Sequence, residues 1–124
     1  MARGGRIYPD NKSQRALCRL IDDYADEALA KIIRDYLVEA NEPDPKRDNT
    51  TLAKYRALVE EQLANLNDLL DGKNFLVTDQ YTLADIAVFS SLKMLEIKGT
   101  EELISRYGEL YRWYQNIDVR YQRG

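Results

Sequence analysis

The sequence predicts an all-α fold, a bundle of about four to six helices packed around one central buried helix that starts at Thr82. Three observations predict it. Apolar residues recur at steps of three and four along most of the 124 residues. A helix-start pattern at Thr82 leads straight into a segment that is apolar nearly all round. The only stretch that reads as extended, Lys73 to Tyr81, has no partner strand in view. A chain of this length forms one domain, burying roughly two-thirds of the surface its unfolded form exposes.

Met1 to Tyr8 reads as a flexible lead-in, and residues 9–124 as the helical domain. The Arg3-Gly4-Gly5-Arg6 motif lacks both the preceding strand and the Gly-x-x-x-x-Gly-Lys spacing of a phosphate-cradling loop. Pro9-Asp10 marks a stop and a helix start, with Asp10 or Asn11 as the cap. The first helix runs from about Lys12 to Ala40, with apolar doublets at Ala16-Leu17, Leu20-Ile21, Tyr24-Ala25, Ala28-Leu29, Ile32-Ile33 and Tyr36-Leu37. Their repeat is four, and each four-residue step advances about 40°, so the stripe winds roughly 200° over five steps. Either one end of the helix faces a different neighbour from the other, a second chain or domain, or the helix bends to follow its stripe.

Two prolines and a charge run make Asn41 to Asn49 a loop. The second helix spans about Thr51 to Leu70, with Leu52, Tyr55, Val59, Leu63, Leu66 and Leu70 on one stripe, and Gly72 closes it. Phe75, Leu76 and Val77 enter the core from the extended segment. At the third helix, Thr82 is the N-cap and Asp85 the residue that reaches back to it, a capping box, while Tyr81 and Ile86 are spaced as a hydrophobic staple. That helix, Leu83 to Ile97, is the one the others surround. Gly99 ends it and Thr100 is placed to cap a short helix, Glu101 to Arg106. A last helix, about Leu110 to Val119, buries Leu110, Trp113, Tyr114 and Ile117.

Composition narrows the chemistry. The net charge of −3 and pI near 5.0 lack the basic footprint of a nucleic-acid binder. No run of about eighteen apolar residues suggests a membrane span or a signal segment. The single cysteine, Cys18, has no intrachain disulfide partner, so a cytoplasmic protein is expected. The absence of histidine removes the commonest general base, the histidine-activated nucleophiles and nearly all zinc-site patterns. No metal site is expected.

Phe75-Leu76-Val77-Thr78-Asp79, followed by the Thr82-x-x-Asp85 box and its staple, resembles the signature of the C-terminal, all-helical half of glutathione transferases. Tyr107-Gly108-Glu109-Leu110-Tyr111-Arg112-Trp113, with Arg120 further on, is similar to a second run of that family. Tyr8-Pro9-Asp10 resembles the point where the family's interdomain linker meets the first helix. Thr78 stands where the family usually has glycine, and Gly108 and Tyr121 where it has prolines. The resemblance covers nearly the whole chain from Tyr8 onward.

In that family, glutathione is held and activated mainly by a thioredoxin-like N-terminal domain, which nothing in this sequence resembles. The resemblance therefore implies no catalytic residue here, and no cofactor, with glutathione relevant only if a thioredoxin-like half is supplied. It implies that the bundle forms a pocket wall and part of a dimer interface. It also implies that an acidic residue of the first helix approaches glutathione on a partner chain; among Asp22, Asp23, Asp26 and Glu27, the best placed is Glu27, then Asp23. Solvated carboxylates on a helix face are the simpler reading. Cys18 is the remaining ligand-site candidate, although a lone cysteine beside Leu17 more simply packs as a small hydrophobe. The aromatic residues, Trp113 included, sit mostly at core spacing.

The expected function is that of a helical domain without its own catalytic half, dimerising or binding a ligand or protein through the first helix. Two alternatives stand beside it: the helical half of a glutathione-conjugating enzyme whose other half is elsewhere, and an adaptor module of a translation-factor or aminoacyl-tRNA synthetase complex. Truncating either Thr82 or Asp85 to alanine is expected to cost about 1 to 2 kcal/mol, as helix caps do, or more because the helix is central.

Overall fold

A computed structural model describes residues 8–43 and 45–123. Among them are five helical elements and no strand. The first, α1, is continuous from Lys12 to Ala40 but has three parts: an α-helix Lys12–Tyr24, a π-turn Ala25–Leu29, and an α-helix Ala30–Ala40. Then come α2 (Asn49–Leu69), α3 (Leu83–Ile97), α4 (Glu102–Ser105) and α5 (Gly108–Arg123). The Arg3-Gly4-Gly5-Arg6 motif lies outside the described residues.

The π-turn explains the four-residue repeat. From Ile21 through Ala25 and Leu29 to Ile33, all buried, a regular α-helix would rotate the stripe by about 120°. A π-turn absorbs one extra residue, which cuts the drift to about 20°. One face of α1 thus stays in the core along its length. Ser91 of α3 marks the spot: its buried hydroxyl is shared between the Ala25 and Ala87 carbonyls, each at 3.3 Å, and the Ala25 carbonyl also accepts from the Ala30 amide, five residues on.

The helix ends follow the capping chemistry. Asn11 starts α1, accepting from the Gln14 amide at 3.0 Å. Asp48 starts α2, two residues earlier than the apolar stripe suggested, by accepting from the Thr50 and Thr51 amides. Gly72 and Gly99 close α2 and α3 with φ of 72° and 80°, the left-handed region that glycine adopts without a Cβ clash. Thr100 acts differently from expectation. Its hydroxyl turns back to donate to the Leu95 carbonyl at 2.8 Å, so it finishes α3 and leaves α4 without a side-chain cap. The last helix begins two residues before Leu110, and Asn67 of α2 holds its first turn by accepting from the Leu110 amide at 2.9 Å.

In the packing, α3 lies against all three parts of α1 and against α5, while α2 packs on the C-terminal part of α1 and on α5. Val88, Phe89, Leu92 and Leu95 of α3 are buried, as are Val59, Leu63 and Leu66 of α2 and Leu110, Trp113, Tyr114 and Ile117 of α5. Phe75 and Leu76 enter this core from the irregular segment, as their sequence predicts. No helix among the described residues is long and apolar enough to cross a membrane.

Candidate functional site

The capping box is present at the head of α3, and its carboxylate does more than cap. Asp85 has no exposed surface. Its Oδ2 accepts from the Thr82 amide at 2.9 Å and the Thr82 hydroxyl at 3.2 Å. Its Oδ1 accepts from the Leu76 amide at 3.0 Å and from Trp113 Nε1 at 2.9 Å. One side chain therefore ties the irregular segment, the start of α3 and the middle of α5 together. Trp113 is a core residue, as its spacing indicates, but its indole N–H gives it a second task that spacing does not reveal. With every lone-pair direction occupied from within, this carboxylate is structural. Tyr81 and Ile86, the staple positions, are both half-buried beside it.

The acidic stretch of α1 sits at the π-turn. Asp23, Asp26 and Glu27 are exposed and Asp22 half-buried, while the Tyr24 hydroxyl turns to α2 and donates to Gln62 Oε1 at 2.6 Å. Burial pushes the Tyr24 phenol up to about 12. Among the described residues no cluster of three or more carboxylates or thiols is arranged to hold a metal. Cys18 is fully buried, so its thiol packs as a small hydrophobe and is not presented to solvent. On the same turn, Leu17 and Leu20 are 41 % and 65 % exposed.

A second polar cluster clasps α3 to α5. Tyr114 donates to Glu96 at 2.6 Å, and Lys93 donates to Glu96 at 3.1 Å and to Asp118 at 3.0 Å. Burial, reinforced by Glu96, raises the Tyr114 phenol well above its usual range. Burial lowers Lys93, but its bonds to Asp118 and Glu96 outweigh that and hold the ammonium above its ordinary value. These groups satisfy one another and tie two helices together.

Of several surface grooves among the described residues, the most apolar, of about 260 Å³, lies between the C-terminal part of α1 and the end of α3; a larger one of about 500 Å³, beside Gln14 and residues 72–79, is mostly polar. Leu37, Val38 and Met94 form the wall of the apolar groove, and Arg34, Asn41 and Lys98 stand around it. Asn41 is held in place by donating from Nδ2 to the Leu37 carbonyl at 2.7 Å. The groove brings together none of Glu27, Asp23 and Cys18. Its residues carry no distinctive spacing; the one sequence hint is Val38, which follows the Tyr36-Leu37 doublet, lies off the buried stripe and is 60 % exposed.

The bundle, its buried carboxylate and its capped central helix define an all-helical domain of known type. Residues 20–120 match the glutathione S-transferase, C-terminal domain family, and the chain belongs to that family. Solved structures agree. A theta class glutathione S-transferase from the citrus canker pathogen Xanthomonas axonopodis pv. citri, in its apo form, is 27 % identical with a TM-score of 0.79, over 95 % of this chain and 64 % of that one. A glutathione transferase from Burkholderia graminis with two glutathione molecules bound per subunit has a TM-score of 0.83 at 18 % identity, over 93 % of this chain and 50 % of that one. A glutathione S-transferase from Methylobacillus flagellatus with glutathione bound has a TM-score of 0.74 at 23 % identity, over 89 % and 55 %. The chain thus spans between half and just under two-thirds of the length of these transferases.

Proposed function

We propose that this chain works as a binding domain: the helical half of the glutathione transferase architecture, holding an apolar ligand in the groove between α1 and α3 without supplying reactive groups of its own. The groove is the observation that carries this reading. It is concave, apolar on its wall and edged by a few polar groups, the usual make-up of a small-molecule site. The groups along it, a guanidinium, an ammonium, an amide, a thioether and two aliphatic side chains, suit binding more than bond making. A titration with the uncharged fluorophore N-phenyl-1-naphthylamine tests it. Saturable binding that Val38→Glu abolishes supports the groove; non-saturating fluorescence, or binding indifferent to that substitution, refutes it.

A second reading concerns association. Leu17 and Leu20 are three residues apart on α1, on one exposed face, and such an apolar pair suits contact with a second copy or another domain. Sedimentation analysis of the chain and of Leu20→Glu checks this; a monomer at all concentrations would remove self-association. Glutathione conjugation is the enzymatic alternative, favoured by the solved relatives that hold glutathione, and in this reading it requires a thioredoxin-like half.

A further inference from the structure

We propose that the polar groove between the start of α1 and the segment after α2 binds short peptides with free termini, dipeptides in the first place, with the peptide carboxylate at Lys73 and its ammonium at Asp10 and Asp79. This groove is separate from the apolar one between α1 and α3, so the two assignments stand or fall independently. It has two adjoining parts. Gln14, Lys73, Asn74, Thr78 and Asp79 border the larger, of about 500 Å³; the smaller, of about 200 Å³, shares Gln14, Thr78 and Asp79 and adds Asp10. Charge is uneven along it. Lys73 lines the larger part but not the smaller, whose lining holds two carboxylates and no cation. All three charged side chains are exposed, and none has an ion pair or hydrogen bond among the described residues. Elsewhere cations are neutralised, as Lys31 is by Asp35 at 2.7 Å and Lys93 by Asp118 at 3.0 Å.

The wall between the two ends suits a peptide unit. Arg112 pins its rim by donating to the Lys73 carbonyl at 2.6 Å and to Asn74 Oδ1 at 3.2 Å, which leaves Asn74 Nδ2 to donate to a ligand carbonyl. The Gln14 side chain makes no hydrogen bond among the described residues and offers both a donor and an acceptor. Thr78 is already engaged: its hydroxyl donates to the Gln80 carbonyl at 3.0 Å and accepts from the Gln80 amide at 2.9 Å, and the turn so made carries Asp79. Side-chain amides pair with a peptide bond, and opposite charges at two ends match a molecule whose termini are several bonds apart. A free α-amino acid holds both charges on one carbon and does not span them. The larger part, at about 500 Å³, lies within the roughly 300–1,000 Å³ common for ligand sites.

Amide NMR titration of the isotope-labelled chain tests the proposal, with L-alanyl-L-alanine as the probe beside its N-acetylated and its C-amidated forms. The free dipeptide is expected to shift the amides of Val77 and Asp79 saturably, and each capped form to bind about threefold more weakly, the usual weight of an exposed charge pair. Lys73→Gln is expected to abolish the effect of amidation and keep that of acetylation; Asp10→Asn with Asp79→Asn is expected to do the reverse. Asn11, not Asp10, caps α1, so these variants leave the helix start intact. Equal affinity for free and capped forms, or an unchanged preference in the variants, overturns the proposal. Shifts that fail to saturate or that map away from this groove overturn it too, as does a dipeptide titration weakened by Val38→Glu, which alters only the apolar groove.

Discussion

Replacing Asp85 with alanine removes a carboxylate that is fully buried and accepts from the Leu76 amide, the Thr82 amide and hydroxyl, and the Trp113 indole. The hydroxyl can rotate to a new partner, but the two amides and the indole N–H keep their direction. Each buried donor left without a partner costs about 1–3 kcal/mol. Some relaxation at each site puts the total at about 3–5 kcal/mol, a large share of the roughly 5–15 kcal/mol that stabilises a domain. That exceeds the cap value of about 1–2 kcal/mol because the side chain joins three segments. Thr82→Ala loses a hydroxyl that donates to Asp85 at 3.2 Å and caps the Asp85 amide, but that amide keeps its bond to the Thr82 carbonyl at 3.0 Å, so about 1 kcal/mol is expected. At a urea slope of about 2 kcal/mol per molar, the midpoint falls by about 2 M for Asp85→Ala and about 0.5 M for Thr82→Ala. Equal shifts in the two variants would refute the argument that Asp85 is a three-way tie.

Other predictions follow from the same contacts. Trp113→Phe removes the indole donor but leaves Asp85 Oδ1 its Leu76 amide, and is expected to cost about 1–2 kcal/mol in a urea melt. Deleting exposed Glu27 from the π-turn restores a regular α-helix with both flanking faces in register, so circular dichroism is expected to show a folded domain. Deleting exposed Arg19 instead rotates Cys18 by about 100° relative to Ile21, which is expected to expose the thiol to a disulfide reagent. Gly72→Ala and Gly99→Ala, at φ of 72° and 80°, are expected to destabilise by about 1 kcal/mol or more. Gly108→Ala meets open space at negative φ and is expected to stabilise by about 0.4–1 kcal/mol. Because burial holds the Tyr24 phenol at about 12 against 10.0 unfolded, its share of stability is complete below pH 10 and is lost as pH rises towards 12. Urea midpoints across that range are expected to fall less steeply in Tyr24→Phe.

Much of this fold was legible because local signals agree with the packing. Thr82, Asp85, Gly72 and Gly99 mark helix ends by their own chemistry, and the all-round apolar segment after Thr82 has to be buried wherever it sits. The four-residue repeat of α1 was visible, but its meaning was not: a winding stripe, a bend and a π-turn share the pattern, and the five-residue backbone bond from the Ala30 amide to the Ala25 carbonyl distinguishes them. The Asp85 to Trp113 bond joins residues 28 apart, beyond any local motif. The groove was less legible still. Arg34 and Val38 lie on an exposed helix face and Lys98 at the C-cap of α3, where sequence periodicity carries no information, and they meet only because α1 and α3 run side by side. The acidic residues that the family resemblance brought forward, Glu27 and Asp23, sit on an open face away from that groove.

The central proposal is that this chain binds but does not catalyse by itself. Glutathione conjugation to chlorodinitrobenzene by the purified chain is the direct measurement. The account predicts a rate equal to the uncatalysed background at every glutathione concentration, restored above it only when a thioredoxin-like half is supplied. A saturable, chain-dependent rate from this polypeptide alone would contradict it.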